Sequence, residues 1–337
     1  MNRIIIILSL IIICSKSTNT STRSIFDDWC VKFERHYSTE KEKQERFQIW
    51  LDNKKIVNRL NEQNKGIATF TVDNPFGDIS RDEYIGYFKK SKVSIPSNLS
   101  SLRLHLRGGN RNEDPESIDW RDKKAVTEVK DQIWSKCNSG YAFSSIGAIE
   151  SACKIVSGEL LDLSEQEVID CIEPFSDLCG CDGGSPWATF YYAMNGGMAL
   201  ESEYPYKAIK QECKIVAGHC VVKNYAYVPL NSELSLRCSV VEQPVSVTVD
   251  ASSEGFQFYS SRIFAGPCSN DQKDLSHGIL VIGYGKDLHG NLFWILRNSF
   301  SKKWGESGYM RLIRTETSGK PGACGVAAFP WYPWLGQ

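Results

Sequence analysis

The sequence predicts a protein of the α+β class. Three observations lead to this prediction: a charged helical stretch at residues 25–65, helical patterns from residue 115 to about 214, and alternating β-branched and aromatic residues from Val221 onward. Because helices come first and strands after, we expect a helix-rich part and a strand-rich part that meet at a cleft. The 337 residues, 42% of them hydrophobic, suffice for one large globular unit or two medium ones.

The charge of the chain gives no reason to expect nucleic acid or an anionic membrane as a partner. It has 39 basic and 40 acidic residues, spread without long runs, and a formal net charge of -1. Binding to a polyanion needs a local excess of positive charge. We therefore expect neither partner.

The N-terminus has the pattern of a secretory signal peptide at residues 1–17. One basic residue precedes an apolar run at 4–14, and Ser15 and Ser17 stand at cleavage spacing. The run is too short to span a bilayer as a helix. Secretory routing makes the twelve cysteines candidates for disulfides before metal ligands.

The stretch at residues 25–65 predicts an amphipathic helix. It contains no proline, and apolar residues recur at helical spacing among charged ones; they are Phe47, Trp50, Leu51, Ile56, Val57 and Leu60. A shorter apolar patch follows at 69–88. Residues 89–114 are rich in turn formers and carry the sequon Asn98-Leu99-Ser100, so we expect a linker with a glycosylation site at Asn98.

From residue 115 the chain has helix signals first and strand signals later. Ser164-Glu165-Gln166-Glu167 predicts a capping box, in which the serine accepts from a first-turn amide and Glu167 reaches back. After Val221, alternating stretches predict strands; they are 221–230, 244–252, 277–285, 292–299 and 309–314.

Ordered motifs across nearly the whole chain resemble those of the papain-like cysteine proteases. The family's propeptide pattern matches Glu42, Arg46, Trp50, Asn53, Val57 and Asn61, followed by Asn74, Phe76 and Asp78. Later matches are 119–121, 163–167, 180–184, 204–206, 243–247 and 304–309. The resemblance implies a papain-like two-lobed fold, with a helical left lobe and a β-rich right lobe, preceded by a helical inhibitory propeptide.

The resemblance also divides the chain into four parts. It implies a signal peptide at 1–17, a propeptide inhibitor-like domain at 18–88, a linker at 89–114 and a peptidase domain at 115–337.

In this family a cysteine thiolate attacks the peptide carbonyl, and a neighbouring histidine lowers the pKa of the thiol. The resemblance assigns His277 as the base, Asn298 as the residue that orients it and Gln132 as an oxyanion donor. It puts Gly140 in the place of the nucleophile. Glycine has no side chain, so covalent acyl transfer from this position is impossible.

Further departures surround Gly140. The loop between Gln132 and Cys137 is longer than the family's, Asn138 replaces a glycine, and Tyr141 and Phe300 each replace a tryptophan. Such a set favours loss of catalysis over a single sequence error.

Two neighbours of Gly140 are alternative nucleophiles. Cys137 would have to move by about 4.5 Å along the helix start to reach the position. Ser139 points to another side of the helix and would need a stronger base.

The resemblance further implies a peptide-binding cleft. Gly183 and Gly184 match the rim where the family's substrates pair through their main chain. A shallow apolar pocket for the second residue before the scissile bond is expected from four residues, namely Pro186, Thr248, Leu275 and Phe329.

Three disulfides are implied by the resemblance: Cys137 with Cys181, Cys171 with Cys213 and Cys268 with Cys324. The spacing leaves four cysteines open, which are Cys153, Cys179, Cys220 and Cys238. Cys179-Gly180-Cys181 is a weak metal signal, and we expect no metal and no cofactor.

The sequence favours a proteolytically inactive papain-like homologue, a monomer that is secreted or vacuolar or lysosomal. Its cleft would hold a peptide, the chain's own propeptide or a cystatin-like inhibitor protein. Two other hypotheses stay open: an active endopeptidase that uses Cys137, as a cysteine endopeptidase, or Ser139, and a storage or structural protein whose cleft has no ligand.

Overall fold

A computed structural model describes residues 22–88, 114–133, 136–172 and 179–336. The predicted signal peptide, almost all of the linker and the sequon at Asn98 lie outside these residues. The helices are α1 (22–32), α2 (Glu40–Gln63), α3 (Arg81–Gly86), α4 (Gly140–Ser157), α5 (Glu165–Cys171), α6 (Pro186–Ala193), α7 (Glu233–Glu242) and α8 (Glu254–Gln257). Two short 3-10 helices lie at Gly180–Asp182 and Ala323–Gly325.

The strands of the described residues join in one sheet. They are β1 (Ala68–Phe70), β2 (Ile118–Asp119), β3 (Asn224–Tyr227), β4 (Val245–Val249), β5 (Tyr259–Phe264), β6 (His277–Lys286), β7 (Leu292–Arg297), β8 (Tyr309–Ile313) and β9 (Trp331–Trp334). Their order is β1-β5-β8-β7-β6-β4-β9-β3, and β2 pairs with β6. Helices dominate before residue 200 and strands after it, so the predicted α+β class is confirmed.

The N-terminal region folds around the predicted amphipathic helix α2. Its stripe turns inward, with Trp50, Val57 and Leu60 buried, because residues three and four apart share one helix face. Thr39 caps the helix by accepting from the Glu42 amide. These side chains belong to the same hydrophobic cluster as the core of the strand-rich lobe.

The N-terminal region is docked on the strand-rich lobe by main-chain and side-chain hydrogen bonds. Strand β1 pairs antiparallel with β5. The hydroxyl of Tyr84 donates to the main-chain carbonyl oxygen of Ala251 over 2.9 Å. The side-chain nitrogen Nδ2 of Asn74 donates to the main-chain carbonyl oxygen of Gln257 over 3.0 Å. The two regions therefore share both a sheet and a core.

The helical lobe is built around α4, which is buried from Gly140 to Cys153. Its core is a second hydrophobic cluster, to which α5 and α6 contribute. Gly158, in the left-handed conformation at φ 81°, ends α4 as glycine does at many helix C-termini.

The capping box predicted at Ser164 is only half formed. Ser164 Oγ accepts from the Glu167 amide at 3.0 Å, as expected. The Glu167 carboxylate does not reach back; it accepts from the Ala199 amide at 2.7 Å and the Tyr192 hydroxyl at 3.0 Å. The Glu167 carboxylate therefore binds groups that are distant in sequence instead of the backbone amide of Ser164.

The strand prediction after Val221 missed the two helices α7 and α8 and two strands. Helix α7 starts at Ser232, whose hydroxyl accepts from the Ser235 amide, and it buries Leu236 and Val240 on one face. Strands β5 and β9 lie where the sequence does not alternate clearly.

The described residues form four disulfides. Three join the pairs implied by the resemblance, Cys137–Cys181, Cys171–Cys213 and Cys268–Cys324. The fourth, Cys153–Cys220, ties the end of α4 to the loop before β3 and settles part of what the spacing left open. Cys30, Cys179 and Cys238 keep their thiols.

Candidate active site

Gly140 is the first residue of α4 and lies where the two lobes meet. The preceding residue, Ser139, is the N-cap but makes no side-chain cap. Three residues before Gly140, Cys137 is tied to Cys181 with their Cα atoms 4.4 Å apart. The disulfide fixes the start of the helix against the rim of the cleft.

His277 opens β6 on the strand-rich lobe, opposite Val249 of β4. Its Nε2 lies 2.8 Å from Asn298 Oδ1. Phe300 stacks on the imidazole, with ring centroids 4.7 Å apart, and only 1% of His277 is exposed. This burial lowers the pKa of His277 to about 4, although the hydrogen bond to Asn298 acts in the opposite direction.

Gly140 and His277 approach each other more closely than a larger residue would allow. A β-carbon built on Gly140 would lie 2.5 Å from His277 Nδ1 and 2.8 Å from its Cε1. Real β-carbons do not come this close to a neighbour, so a side chain would require the ring or the helix start to shift. The imidazole therefore lies in the space that a nucleophile's side chain would need.

Asn298 and Gln132 are linked through Ser299. Asn298 Oδ1 accepts from the Ser299 backbone amide at 2.8 Å as well as facing His277. Ser299 Oγ donates to Gln132 Oε1 over 2.5 Å, and the Gln132 amide donates to the Ser299 carbonyl oxygen over 2.9 Å. The structure thus brings His277, Asn298 and Gln132 onto one short hydrogen-bonded chain.

The longer loop after Gln132 lies partly outside the described residues. Its described part begins with Ile133, whose amide donates to Asp131 Oδ1 over 2.9 Å. Gln132 itself is buried and held by Ser299, so the loop has not pulled its backbone away from the segment that follows Asn298.

A small cavity of about 20 Å³ lies beside His277. It is lined by Asn138, Tyr141, Gly183, Gly184, Thr248, Ser276, His277 and Gly278. The glycine rim fits closely: a β-carbon on Gly184 would be 2.4 Å from the Tyr141 ring. Tyr141 thus packs the rim against α4.

Of the four residues predicted for the apolar pocket, only Thr248 lines this cavity. Leu275 and Phe329 belong to the core of the helical lobe, and Pro186 is buried at the start of α6. Their role in a substrate pocket stays a prediction.

The two alternative nucleophiles both have other partners. The sulfur of Cys137 is in a disulfide, so it provides no thiolate. Ser139 is fully buried, and its Oγ lies 2.8 Å from the Tyr206 hydroxyl.

Sequence reasoning missed the contact of the N-terminal region with His277. Phe88 packs edge-on against the imidazole, with ring centroids 5.7 Å apart. Phe88 ends the apolar patch at 69–88, but its distance along the chain from His277 hides the contact. The role of Ser299 was also missed, although it stands directly after Asn298.

The described ranges contain neither a cluster of metal ligands nor a membrane-spanning helix. No group of three or more histidine, cysteine or acidic residues there could hold a metal ion. No helix among these residues is long and apolar enough to cross a membrane.

Comparison with known proteins gives two family matches. Residues 114–334 match the papain family cysteine protease model, and residues 26–84 match the cathepsin propeptide inhibitor domain.

Relatives of known sequence include plant enzymes. A cysteine proteinase of Arabidopsis thaliana is 40% identical over 317 residues, which cover 92% of this chain and 66% of that protein. Fruit bromelain of Ananas comosus is 37% identical over 316 residues, which cover 92% of this chain and 86% of bromelain.

Solved proforms have the same fold. The recombinant stem bromelain precursor superposes with a TM-score of 0.84 at 36% identity, covering 94% of this chain and all of that one. Digestive procathepsin L 3 of Tenebrio molitor superposes with a TM-score of 0.82 at 34% identity, covering 93% and 99%.

Proposed function

The chain belongs to the papain family of cysteine proteases and carries that family's propeptide inhibitor domain, and we propose that it binds peptides without hydrolysing them. In this proposal Gly140 occupies the nucleophile position, His277 the base position and Asn298 the position that orients the base. We also propose an inhibitor domain at 18–88 and a peptidase domain at 115–337; the family models match residues 26–84 and 114–334.

One observation supports the loss of catalysis above all others. Gly140 starts the central helix with no side chain, and the imidazole of His277 lies within 2.5 Å of where its β-carbon would be. A covalent acyl-enzyme needs a nucleophile that the base can deprotonate. Here the base is in position and has nothing to deprotonate.

The protonation state of His277 agrees with this proposal. In a thiolate–imidazolium pair the negative sulfur stabilises the charged ring. Without the sulfur, burial lowers the pKa of His277 to about 4, so the ring is neutral at ordinary pH. In this proposal the chain therefore lacks both charges of the family's ion pair, the negative thiolate and the positive imidazolium.

The hypothesis of an active endopeptidase has less support. Cys137 would have to leave its disulfide, and Ser139 would have to leave Tyr206. Two features disfavour the storage hypothesis. The glycine rim of the cleft is retained, and Phe88 of the N-terminal region contacts His277 there, so the cleft has a ligand.

The chain's own propeptide is the first ligand we propose. Relatives solved as proforms hold the propeptide on the peptidase domain, and residues 22–88 pack in the same manner here. Because self-cleavage requires the nucleophile, this chain should persist in its long form in the secretory pathway until another protease cuts the linker.

The test is hydrolysis of a broad fluorogenic peptide library. The full chain is assayed before and after an added protease cuts the linker, with and without a thiol alkylator, beside an active papain-family peptidase. We expect no turnover by this chain in any arm. Turnover that the alkylator abolishes would show that a cysteine such as Cys137 acts as nucleophile, and the proposal would be wrong.

A further inference from the structure

Building on the proposed function, we infer that the cleft selects ligands that present a neutral hydrogen-bond donor, an N–H or O–H, to His277 Nδ1. It discriminates against ligands that place a carboxylate or an ester oxygen there. The substitution by glycine has turned the histidine from a partner of a thiolate into a hydrogen-bond acceptor in the wall of the cleft.

The hydrogen bonds around Asn298 fix which nitrogen of His277 accepts. The Ser299 backbone amide can only donate, and it donates to Asn298 Oδ1. Asn298 therefore presents oxygen, an acceptor, to His277 Nε2. In the neutral ring Nε2 must carry the hydrogen, which leaves Nδ1 with a lone pair.

This lone pair has no partner among the residues that the structure describes. Nδ1 is buried and accepts no hydrogen bond from them, while His277 as a whole is 1% exposed. A buried acceptor without a donor is destabilising, because it has lost its hydrogen bond to water without gaining another. A ligand that supplies the donor recovers this free energy, and one that lacks it does not.

The cavity beside His277 restricts the size and charge of the group that enters. Its volume of about 20 Å³ suits one group about the size of a water molecule, such as a primary amide nitrogen or a hydroxyl. Apart from His277, its polar side chains are those of Asn138, Tyr141, Thr248 and Ser276, and no lysine or arginine lines it. A carboxylate would therefore lose hydration without gaining a counter-ion.

The neutral state of the ring persists over the range in which binding would be measured. Burial lowers the pKa of His277 to about 4, so at pH 7 nearly every molecule offers the lone pair.

The experiment compares three N-acetylated tripeptides that differ only at the C-terminus: primary amide, methyl ester and free carboxylate. Their affinities for the full chain are measured by calorimetry at pH 7. Because the propeptide competes equally with all three, it weakens each apparent affinity by the same factor and cancels from the ratios. We expect the amide to bind at least about tenfold more tightly than the ester, and the carboxylate to bind most weakly.

The variant that tests the acceptor is His277→Phe, which keeps an aromatic ring against Phe300 and removes both nitrogens. The amide and the ester should then bind equally. The matched control is His219→Phe, since His219 is 39% exposed and pairs with Glu203 outside the cavity. It should leave the ratio unchanged.

A measurement on the unmodified chain guards against misfolding of the variant. With ¹⁵N-labelled histidine, the Nδ1 resonance of His277 should shift when the amide is added and stay in place with the ester. Equal affinity of amide and ester for the unmodified chain would overturn the inference and leave the proposed function intact. Release of free acid from the amide or the ester would overturn the proposed function itself. Failure of all three peptides to bind the full chain would overturn the inference, because no added ligand would then reach His277.

Discussion

The N-terminal region is held on the strand-rich lobe by buried hydrogen bonds, whereas the centre beneath it, under the proposed function, has no nucleophile. On the propeptide side, Tyr84 and Asn74 each donate to a main-chain carbonyl of the lobe, and β1 pairs with β5. At the centre, His277 faces a glycine. Under the proposed function, this chain keeps the docked propeptide without the chemistry that a propeptide inhibits.

The largest expected effect concerns Gly140→Cys. Full recovery of activity in this variant would contradict the contrast between the two regions. Because a β-carbon at this position is only 2.5 Å from His277 Nδ1, the ring or the helix must move, and a displacement of this kind costs about a hundredfold in rate. We expect the cysteine to react with an alkylator, but kcat/KM should stay at least about a hundredfold below that of an active relative assayed in parallel.

Gly140→Ala separates the steric effect from the chemistry. The methyl group alone should lower the free energy of unfolding by about 1–3 kcal/mol, because overpacking strains a close contact. Full activity of the cysteine variant together with unchanged stability of the alanine variant would mean that the centre has room for a side chain at position 140.

The next effect concerns the pH dependence of stability at the centre. The pKa of His277 is about 4 in the folded chain against an ordinary value of 6.5, so only the unfolded chain binds the proton between these values. The free energy of unfolding should therefore fall by about 3 kcal/mol as the pH drops from above 6.5 to 4.

His277→Gln isolates this contribution from those of buried carboxyl groups. Chemical denaturation of both proteins should show that the unmodified chain loses about 3 kcal/mol more than the variant as the pH drops from above 6.5 to 4. Parallel profiles would show that the imidazole is solvated or has a charged partner. The centre would then differ less from the propeptide contact than the comparison states.

A smaller effect tests the intact side of the comparison. In Tyr84→Phe the Ala251 carbonyl loses a buried donor, which should weaken docking of the propeptide by about 1–2 kcal/mol. Hydrogen exchange of the β1 amides measures the change. Unaltered protection would mean that Tyr84 adds nothing to docking.

The smallest effect is expected at the edge of the same contact. Arg59 forms an ion pair with Glu254, and the arginine side chain is 53% exposed. Because exposed ion pairs contribute little, Arg59→Ala should change β1 protection by less than about 1 kcal/mol. An effect as large as that of Tyr84→Phe would place the main attachment at this edge.

Local patterns in the sequence were enough to predict elements whose partners lie nearby in the chain. Trp50, Val57 and Leu60 are buried as their spacing predicted, because a helix puts such residues on one face. Glu167 is the counterexample: its local motif predicted a capping contact, but Ala199 and Tyr192, distant in sequence, bind its carboxylate.

The candidate site divides in the same way. The motifs identified His277, Asn298 and Gly140, and the resemblance predicted which of them would face each other. The closeness of His277 to Gly140 and the packing of Phe88 on the imidazole depend on how lobes and propeptide meet. No single stretch of sequence encodes these distances, so they required the structure.

The pairing of β1 with β5 has a consequence for solubility. In the sheet order β1 is terminal and β5 comes next, so loss of residues 22–88 would leave β5 with a row of unpaired main-chain groups. Such an exposed edge is a template for strand exchange between molecules. A chain that never sheds its propeptide keeps that edge covered, and permanent retention thereby protects it against self-association.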